Sequence, residues 1–261
     1  MEIKFLGVHM VSDSGNTVSF VLKLKTGEKI LVDSGVDTVK SLIEADIDPC
    51  SITHMVITHS HGDHIAGIPM YLFYRYKYAP IVNKVLASSM HIISSKETWD
   101  AVKKYIEIPY RNLSEDSHLI VRDDICDRSI VDINTRYTME FFSVNHKPVT
   151  HGFRIIDHLD NKSVVYSADT GICDIVFEMA QNADCLIHDT VADSRFPMFG
   201  RAGHSLCADV SKKANEVGVK VLIPVHRLSI YDNSDAQYAE EIRANYTGKL
   251  IIPTEGSSIQ I

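Results

Sequence analysis

The sequence has few of the features that mark a secreted, disulfide-linked protein. It contains five cysteines, an odd number, and none of them occurs in C-x-x-C spacing. This usage argues against a disulfide framework and against a thiolate metal site, and it predicts small buried residues in a reducing cytoplasm. The five are Cys50, Cys126, Cys173, Cys185 and Cys207.

Long apolar runs are also missing. Arg75 and Lys77 interrupt the most apolar stretch, so no segment approaches the ~20 apolar residues that a membrane-spanning helix needs. The chain begins with a strand-like pattern rather than a charged stretch leading into an apolar one, and we therefore expect no signal peptide. No linker rich in glycine, serine or proline divides the sequence, which predicts one domain over residues 1–261.

Positive charge is in short supply. The 26 Lys and Arg residues are outnumbered by 34 Asp and Glu residues, which gives a formal net charge of −8. General avidity for nucleic acid depends on neutralising phosphates, so this balance argues against it while allowing a local basic groove. Hydrophobic residues make up 45% of the chain, enough for the core of one large α/β domain.

The chain does contain a dense cluster of possible metal ligands. Residues 58–67 read T-H-S-H-G-D-H-I-A-G, directly after the apolar residues 55–57. This order predicts a strand that ends in a loop, where alternation and a glycine turn bring the polar side chains together. A histidine-rich polar loop is the alternative, but four candidates within six positions favour a site for zinc, iron or manganese. The candidates are His59, His61, Asp63 and His64.

Three further candidate ligands follow strand-like runs later in the chain. His146 ends one such run, Asp169 follows V-V-Y-S-A, and His226 follows V-L-I-P-V. A sheet holds residues at its strand ends rigidly, which suits the geometry that metal binding requires.

Together these positions resemble the metallo-β-lactamase superfamily, whose signature is H-x-H-x-D-H. A narrower resemblance is to its ribonuclease Z branch, which carries a His-Glu-Ala-Thr segment and a later His-Ser-Thr segment. Here H-D-T at residues 188–190 and G-H-S at residues 203–205 match them. The resemblance extends over nearly the whole chain, and it implies an α/β fold, a four-layer αββα sandwich.

The resemblance also implies how a metal centre would be divided. One ion would be held by His59, His61 and His146, a second by Asp63, His64 and His226, and Asp169 would bridge them. Imidazole and carboxylate ligands without cysteine favour two Zn²⁺ ions, with Mn²⁺ as the alternative. Histidine at position 61, where related flavin-diiron proteins carry glutamate, argues against redox iron. Two such ions lower the pKa of a bridging water, which indicates hydrolysis, most naturally at phosphorus.

The resemblance implies that the catalytic residues are Asp63, His204 and Asp189. A hydrolysed phosphodiester leaves as an alkoxide that needs a proton, and the ribonuclease Z branch supplies it from the histidine of its His-Ser segment. A carboxylate of the His-Glu segment orients that histidine. Here the shorter Asp189 takes the glutamate position and would orient His204. The alternative is that His204 only abuts the following helix while Asp189 caps a strand end.

Two of the predicted helices frame these motifs. Residues 64–78 are predicted as one helix that follows the histidine cluster. Residues 206–217 are predicted as a second, with Ser205 as its N-cap and Gly218 as its stop.

The run Y-R-Y-K-Y at residues 74–78 has two readings. Alternating aromatic and basic side chains could stack bases and meet phosphates. Equally, the tyrosines could pack against the core or a partner subunit while the cations reach solvent. A homodimer is the usual assembly in the branch that the chain resembles.

Departures from the ribonuclease Z pattern bear on the substrate. Ribonuclease Z proper grips transfer RNA with a long arm between the ligands matched by His146 and Asp169, but only 23 positions (169 − 146) separate them here. The usual glycine-rich loop is replaced by V-H-M-V-S-D-S at residues 8–14. Armless relatives include phosphodiesterases of cyclic nucleotides. We therefore predict a phosphodiesterase acting on a cyclic nucleotide, with a short RNA as the next candidate.

Two other classes stay open. A lactonase, thioesterase or β-lactamase-type enzyme would direct the same chemistry at a carbonyl. A non-catalytic metal-binding protein is the third possibility, which the complete set of seven ligands disfavours.

Overall fold

The computed structural model describes residues 1–11, 15–86, 88–231 and 236–261. Residues 12–14, the end of the segment that replaces the glycine-rich loop, lie outside this part of the chain. The chain divides into two compact units, so the single domain expected from the sequence stays a prediction. The N-terminal unit comprises Met1–Val8, Gly15–Ile125 and Thr254–Gln260, and the C-terminal unit comprises His9–Ser14, Cys126–Pro253 and Ile261.

A mixed sheet, with seven strands among the described residues, forms the centre of the N-terminal unit. The strands are β1 (Glu2–Gly7), β2 (Ser19–Lys23), β3 (Lys29–Val32), β4 (His54–Val56), β5 (Met90–Ile93), β6 (Leu119–Arg122) and β14 (Ser258–Gln260). Their order across the sheet is β14-β1-β2-β3-β4-β5-β6. Strands β3 to β6 are parallel and the others antiparallel. Parallel pairing places the carboxyl ends of β3 and β4 at one edge, where the histidine cluster follows β4.

Helices cover one face of this sheet. They are α1 (Thr38–Glu44), α2 (Gly62–Ile65), α3 (Ile68–Phe73), α4 (Ala79–Ile81) and α5 (Lys96–Glu107). Helix α5 begins where the Ser95 hydroxyl accepts the Thr98 N–H at 3.2 Å, a side-chain N-cap. Its Trp99 and Val102 side chains are buried in the unit's core.

Residues 64–78, predicted to be helical, are helical except for a break at residues 66 and 67. Helix α2 ends before Gly67, and α3 begins after it. The Gly67 N–H donates to the carbonyl of Ser34 at 2.9 Å, and a Cβ at this glycine would lie 2.1 Å from a backbone oxygen. Pro69, in the first turn of α3, has no N–H to continue an earlier helix. Close approach of two backbones at Gly67 therefore divides the segment.

The Y-R-Y-K-Y run forms a π-helical segment, Tyr74–Tyr78, and packing explains its buried half. Arg75 is 0% exposed, and its guanidinium donates to the carbonyls of Pro49 at 3.1 Å and Ser88 at 2.8 Å. Tyr76 is buried as well. Arg75 is thus a structural residue that cannot meet a phosphate, whereas Lys77 and Tyr78 lie on the surface.

A second mixed sheet, again with seven strands among the described residues, forms the centre of the C-terminal unit. Its strands are β7 (Ile130–Asp132), β8 (Tyr137–Ser143), β9 (His151–Asp157), β10 (Lys162–Tyr166), β11 (Cys185–Asp189), β12 (Val221–Val225) and β13 (Lys249–Leu250). The order is β13-β12-β11-β10-β9-β8-β7. Strands β10 to β13 are parallel. Their carboxyl ends share one edge, and Asp169, Asp189 and His226 are all found there.

The helices of the C-terminal unit are α6 (Asp174–Met179), α7 (Met198–Arg201), α8 (Cys207–Glu216) and α9 (Ala236–Asn245). Helix α8 matches the predicted helix, and Gly218, with φ 70°, follows its end as predicted. Ser205 as its N-cap is wrong, because the cap position is Leu206. The Ser205 hydroxyl is instead buried and donates to the carbonyl of Thr170 at 2.8 Å.

Two expectations about the chain as a whole can be compared with the structure. All five cysteines are free thiols, as their spacing predicts, but the prediction that they are buried is wrong for Cys126, which is exposed, and for Cys173, which is half-buried. Within the described ranges, no helix combines the length and the apolar character that crossing a bilayer requires.

A histidine pair in the N-terminal unit predicts acid sensitivity. The rings of His54 on β4 and His91 on β5 are stacked, with centroids 4.9 Å apart. Burial, with His91 nearby, lowers the pKa of His54 from its ordinary 6.5 to about 4. The unfolded chain therefore binds a proton on His54 at a higher pH than the folded chain does. The free energy of unfolding should fall as pH drops from about 6.5 towards 4.

Replacement of His54 should reduce this pH dependence. We expect His54→Gln to have a flatter profile of the free energy of unfolding between about pH 7 and pH 4, measured by urea denaturation. His158→Gln, at an exposed histidine, is the control and should keep the wild-type slope. Equal slopes for His54→Gln and wild type would show that His54 does not contribute.

Candidate functional site

The histidine cluster of the N-terminal unit spans the loop after β4 and helix α2. The His59 ring lies 4.1 Å from the His64 ring and 4.8 Å from the His61 ring, measured between centroids. His64 Nε2 is 3.6 Å from Asp63 Oδ2. His59 and His64 are buried, whereas His61 is exposed and Asp63 half-buried. The four predicted ligands of this unit are therefore brought together.

A buried carboxylate, Asp33, organises the cluster from behind. It follows β3 and accepts both the backbone N–H and the hydroxyl of Thr58 at 2.9 Å. His64 Nδ1 lies 2.9 Å from Asp33 Oδ2, and since a carboxylate only accepts, the imidazole donates. The Thr58 hydroxyl gives its proton to Asp33, so it accepts from His59 Nδ1 at 3.0 Å. Each neutral ring then carries its lone pair on Nε2, the nitrogen available to a metal ion.

Sequence reasoning did not assign a role to Asp33. The signal was an aspartate at the end of β3, next to β4 in a parallel sheet, where neighbouring strand ends share an edge. Its backbone φ of 57° is in the left-handed region, which an L residue with a side chain adopts at a cost.

The C-terminal unit brings its own candidate ligands together at the carboxyl ends of its strands. Asp169 Oδ2 lies 3.1 Å from His226 Nε2 and 4.0 Å from His146 Nε2. One carboxylate oxygen thus approaches a nitrogen from each of two histidines. The Gly203 carbonyl, 3.1 Å from His146 Nδ1, accepts that proton and leaves the His146 lone pair on Nε2.

His204 and Asp189 form the hydrogen-bonded pair that the resemblance implies. His204 Nδ1 lies 2.8 Å from Asp189 Oδ2, which also accepts the Thr170 N–H at 2.9 Å. Asp189 Oδ1 is 3.5 Å from His226 Nδ1. The shorter aspartate therefore does reach His204. The alternative, in which His204 only abuts a helix, does not account for this bond.

The two groups of this pair shift each other's protonation. Burial alone would lower the pKa of His204, but the Asp189 carboxylate outweighs it and raises the pKa above its ordinary value. Burial alone would raise the pKa of Asp189, yet the hydrogen bond from His204 and the nearby His226 imidazole lower it overall. The pair thus favours a protonated imidazole beside an ionised carboxylate, the state in which His204 holds a proton to donate.

The His204 ring lies between the rings of two candidate ligands. It is stacked on His226 at 5.0 Å and tilted against His146 at 5.2 Å. His226 has φ 59° and Ala168, beside Asp169, has φ 53°, both in the left-handed region. Left-handed residues of this kind are costly and concentrate at functional sites.

The donor chemistry of both units fits divalent metal ions. The candidate ligands are imidazole nitrogens and carboxylate oxygens, the set that zinc and manganese accept. Hydrogen bonds to Nδ1 orient the rings of His59, His64 and His146 for coordination through Nε2.

Neighbouring histidines take no part in these contacts. His188 precedes Asp189, but its ring packs on Phe177 with centroids 5.4 Å apart, and Nδ1 lies 2.7 Å from the Asp189 carbonyl oxygen. His151 is buried in the first position of β9.

The sequence and the fold are similar to those of known proteins. A model of the family described as anti-Pycsar protein Apyc1 matches residues 1–198. A ribonuclease Z from Pyrobaculum aerophilum is 28% identical over 258 residues, covering 90% of this chain and 88% of that protein.

Two solved structures show the fold. YhfI from Bacillus subtilis, a metallo-β-lactamase fold protein, has a TM-score of 0.79 and 18% identity, covering 99% of this chain and 98% of that one. The short form of human tRNase Z has a TM-score of 0.78 and 20% identity, covering 100% and 99%.

The predicted α/β fold of the metallo-β-lactamase type is thereby confirmed, and the comparisons support a metal-dependent hydrolase. The family model extends over residues 1–198, well over half of the 261 residues. The chain therefore belongs to the anti-Pycsar protein Apyc1 family, has the metallo-β-lactamase fold and is similar to ribonuclease Z.

Proposed function

We propose that this protein is a metal-dependent phosphodiesterase that cleaves a cyclic nucleotide. The observation that carries the proposal is the 2.8 Å contact between His204 Nδ1 and Asp189 Oδ2. A histidine held in this way can protonate an alkoxide, which is the leaving group when a phosphodiester is hydrolysed.

By the resemblance, seven residues would hold two divalent ions, with zinc favoured and manganese as the alternative. The imidazole and carboxylate donors that each unit brings together support this. Bound ions supply a water of lowered pKa and positive charge for the phosphate oxygens. The seven are His59, His61, Asp63, His64, His146, Asp169 and His226.

The protein's own residues supply the proton and its direction. His204 would give the Nε2 proton to the leaving oxygen while Asp189, on Nδ1, keeps the ring in place and stabilises its charged form. Asp63, half-buried at the start of α2, is the third proposed catalytic residue, and its carboxylate lies 3.6 Å from His64 Nε2.

The chain between His146 and Asp169 supports a small substrate. It forms a hairpin of β9 and β10 joined by residues 158–161. A hairpin of this length has no arm that could grip a large folded RNA. A cyclic nucleotide needs none, which favours it over a short RNA, the second candidate.

A panel of substrates tests the proposal. With Zn²⁺ or Mn²⁺ added and the bound metal quantified, we expect turnover of a 3′,5′-cyclic nucleotide at least about tenfold above that of a dinucleotide or precursor transfer RNA. Bis-p-nitrophenyl phosphate and a p-nitrophenyl ester or lactone would be assayed in parallel.

Each outcome of the panel favours one class. Turnover of the ester alone would overturn the proposal and indicate a carbonyl-directed hydrolase. Turnover of RNA alone would indicate a nuclease. A fully metal-loaded protein that is inactive on every ester would indicate a metal-binding protein without catalysis.

We also propose that the protein acts in the cytoplasm as a homodimer. Its five free cysteines support a reducing location. Large apolar side chains on the surface of the N-terminal unit, among them Ile81 and Val85 at 78% and 84% exposure, support a partner subunit. A molecular mass of one chain, measured by light scattering, would contradict the proposed homodimer.

A further inference from the structure

Thr170 links the segments that carry the candidate site of the C-terminal unit. It follows Asp169 and is fully buried. Its hydroxyl accepts the Asn145 N–H at 3.2 Å and donates to the Gly171 carbonyl at 2.6 Å. Asn145 in turn precedes His146, so the hydroxyl lies between the segments of two candidate metal ligands.

The backbone of Thr170 makes two more bonds. Its N–H donates to Asp189 Oδ2 at 2.9 Å, and its carbonyl accepts the Ser205 hydroxyl at 2.8 Å. Ser205 follows His204 and is also fully buried. Each polar group of Thr170 is therefore matched to a partner, and three of those partners lie in other segments of the site.

A second bond reinforces the link to His146. The Gly171 N–H donates to the Asn145 carbonyl at 3.1 Å, so residues 170 and 171 hold residue 145 at two points. Two-point attachment restrains both distance and rotation of the segments. It therefore restrains the segment of His146 relative to the segment of Asp169. The Nε2 atom of His146 and the Oδ2 atom of Asp169 are 4.0 Å apart.

We propose that Thr170 and Ser205 are positioning residues that set the spacing of His146, Asp169 and His204. The inference rests on the proposed function only for its effect on turnover, because the effect on metal binding follows from the ligand segments alone. Buried hydrogen bonds behind metal ligands hold those ligands in geometry, and their loss typically costs ~10–100-fold in metal affinity or activity.

The first test compares two substitutions at one position. Thr170→Val keeps the volume and removes both hydroxyl bonds, whereas Thr170→Ser keeps the hydroxyl. We expect Thr170→Val to weaken Zn²⁺ binding by about tenfold or more, measured on the metal-free chain by competition with a chromophoric chelator. Thr170→Ser should stay within about threefold of wild type.

Turnover supplies an independent reading. In metal-saturated Thr170→Val, kcat on a cyclic nucleotide should fall by about tenfold or more while KM changes little, because misplaced groups lose mainly transition-state stabilisation. If no variant or wild type turns over a phosphodiester, the proposed function fails, yet the difference in Zn²⁺ affinity still decides the role of Thr170.

Two serines give a matched pair that does not depend on Thr170→Val folding. Ser205 and Ser211 are both fully buried in the C-terminal unit, and each hydroxyl donates to a backbone carbonyl. We expect Ser205→Ala to weaken Zn²⁺ binding several-fold and Ser211→Ala, within α8, to leave it unchanged.

Several results would overturn the inference. One is wild-type Zn²⁺ affinity in both Thr170→Val and Ser205→Ala. A second is an equal loss in Thr170→Val and in Thr170→Ser, which keeps the hydroxyl, because the effect would then come from packing at this position and not from the hydroxyl bonds. A third is an equal loss in Ser211→Ala and Ser205→Ala, which would assign it to general destabilisation of the unit.

Discussion

Asp169→Ala is expected to abolish hydrolysis and to reduce the bound metal. The reason is that one carboxylate oxygen of Asp169 approaches nitrogens of both His226 and His146, at 3.1 Å and 4.0 Å. In the proposed arrangement this carboxylate serves both ions, so its removal weakens two sites at once. We expect turnover to fall by a factor of ~10⁴ or more, and elemental analysis of the purified variant to show less metal per chain than wild type.

Asp132→Ala is the matched control for this experiment. Asp132 is an exposed carboxylate on β7 of the same unit, and its variant should keep both activity and metal content. Circular dichroism of both proteins would establish that the fold is retained. Unchanged metal content in Asp169→Ala would refute a bridging role for this residue.

His204→Ala is expected to keep its metal and lose turnover on cyclic nucleotides. The proton that His204 holds is needed by an alkoxide leaving group, and general acid catalysis contributes about a hundredfold or more. Metal content should be retained because His204 is not among the seven proposed ligands. The rate of cyclic nucleotide hydrolysis, together with elemental analysis, measures both effects.

The leaving group separates acid catalysis from a structural role. Nitrophenolate departs without protonation, so bis-p-nitrophenyl phosphate should lose much less rate in His204→Ala than a cyclic nucleotide does. His158→Ala, at an exposed histidine in the same unit, should behave as wild type on both substrates. An equal loss of rate on both substrates would show that His204 does not act as the proton donor.

Sequence reasoning places several candidate ligands at strand ends, and within each unit the structure brings the candidates together. His59, Asp169 and His226 come after apolar runs, and the parallel pairs of both sheets place such residues at shared edges. Asp189 is likewise the last residue of β11, which lies between β10 and β12. Strand periodicity and motif spacing are local signals, and the fold preserves them.

The missed features depend on partners that are distant in sequence. The bond from Gly67 to Ser34 breaks the predicted helical segment 64–78, and Ser34 lies outside that segment. Arg75 donates to the carbonyls of Pro49 and Ser88, which makes a basic residue part of the core. Ser205 has the residue type of an N-cap, yet its hydroxyl serves Thr170 instead. In each case tertiary contacts override a local preference.

The hairpin of β9 and β10 also has a consequence for how such a chain can change its substrate. Its connecting residues 158–161 are exposed, with Leu159 at 73%, and exposed loop tips are where chains tolerate insertion. Each doubling of a flexible loop costs only about 0.6 kcal/mol in closure entropy. Lengthening this turn would therefore lower the free energy of unfolding only slightly. It would also leave in place the strand ends that carry the candidate ligands. Gain or loss of an RNA-holding extension can then proceed without redesign of the chemistry.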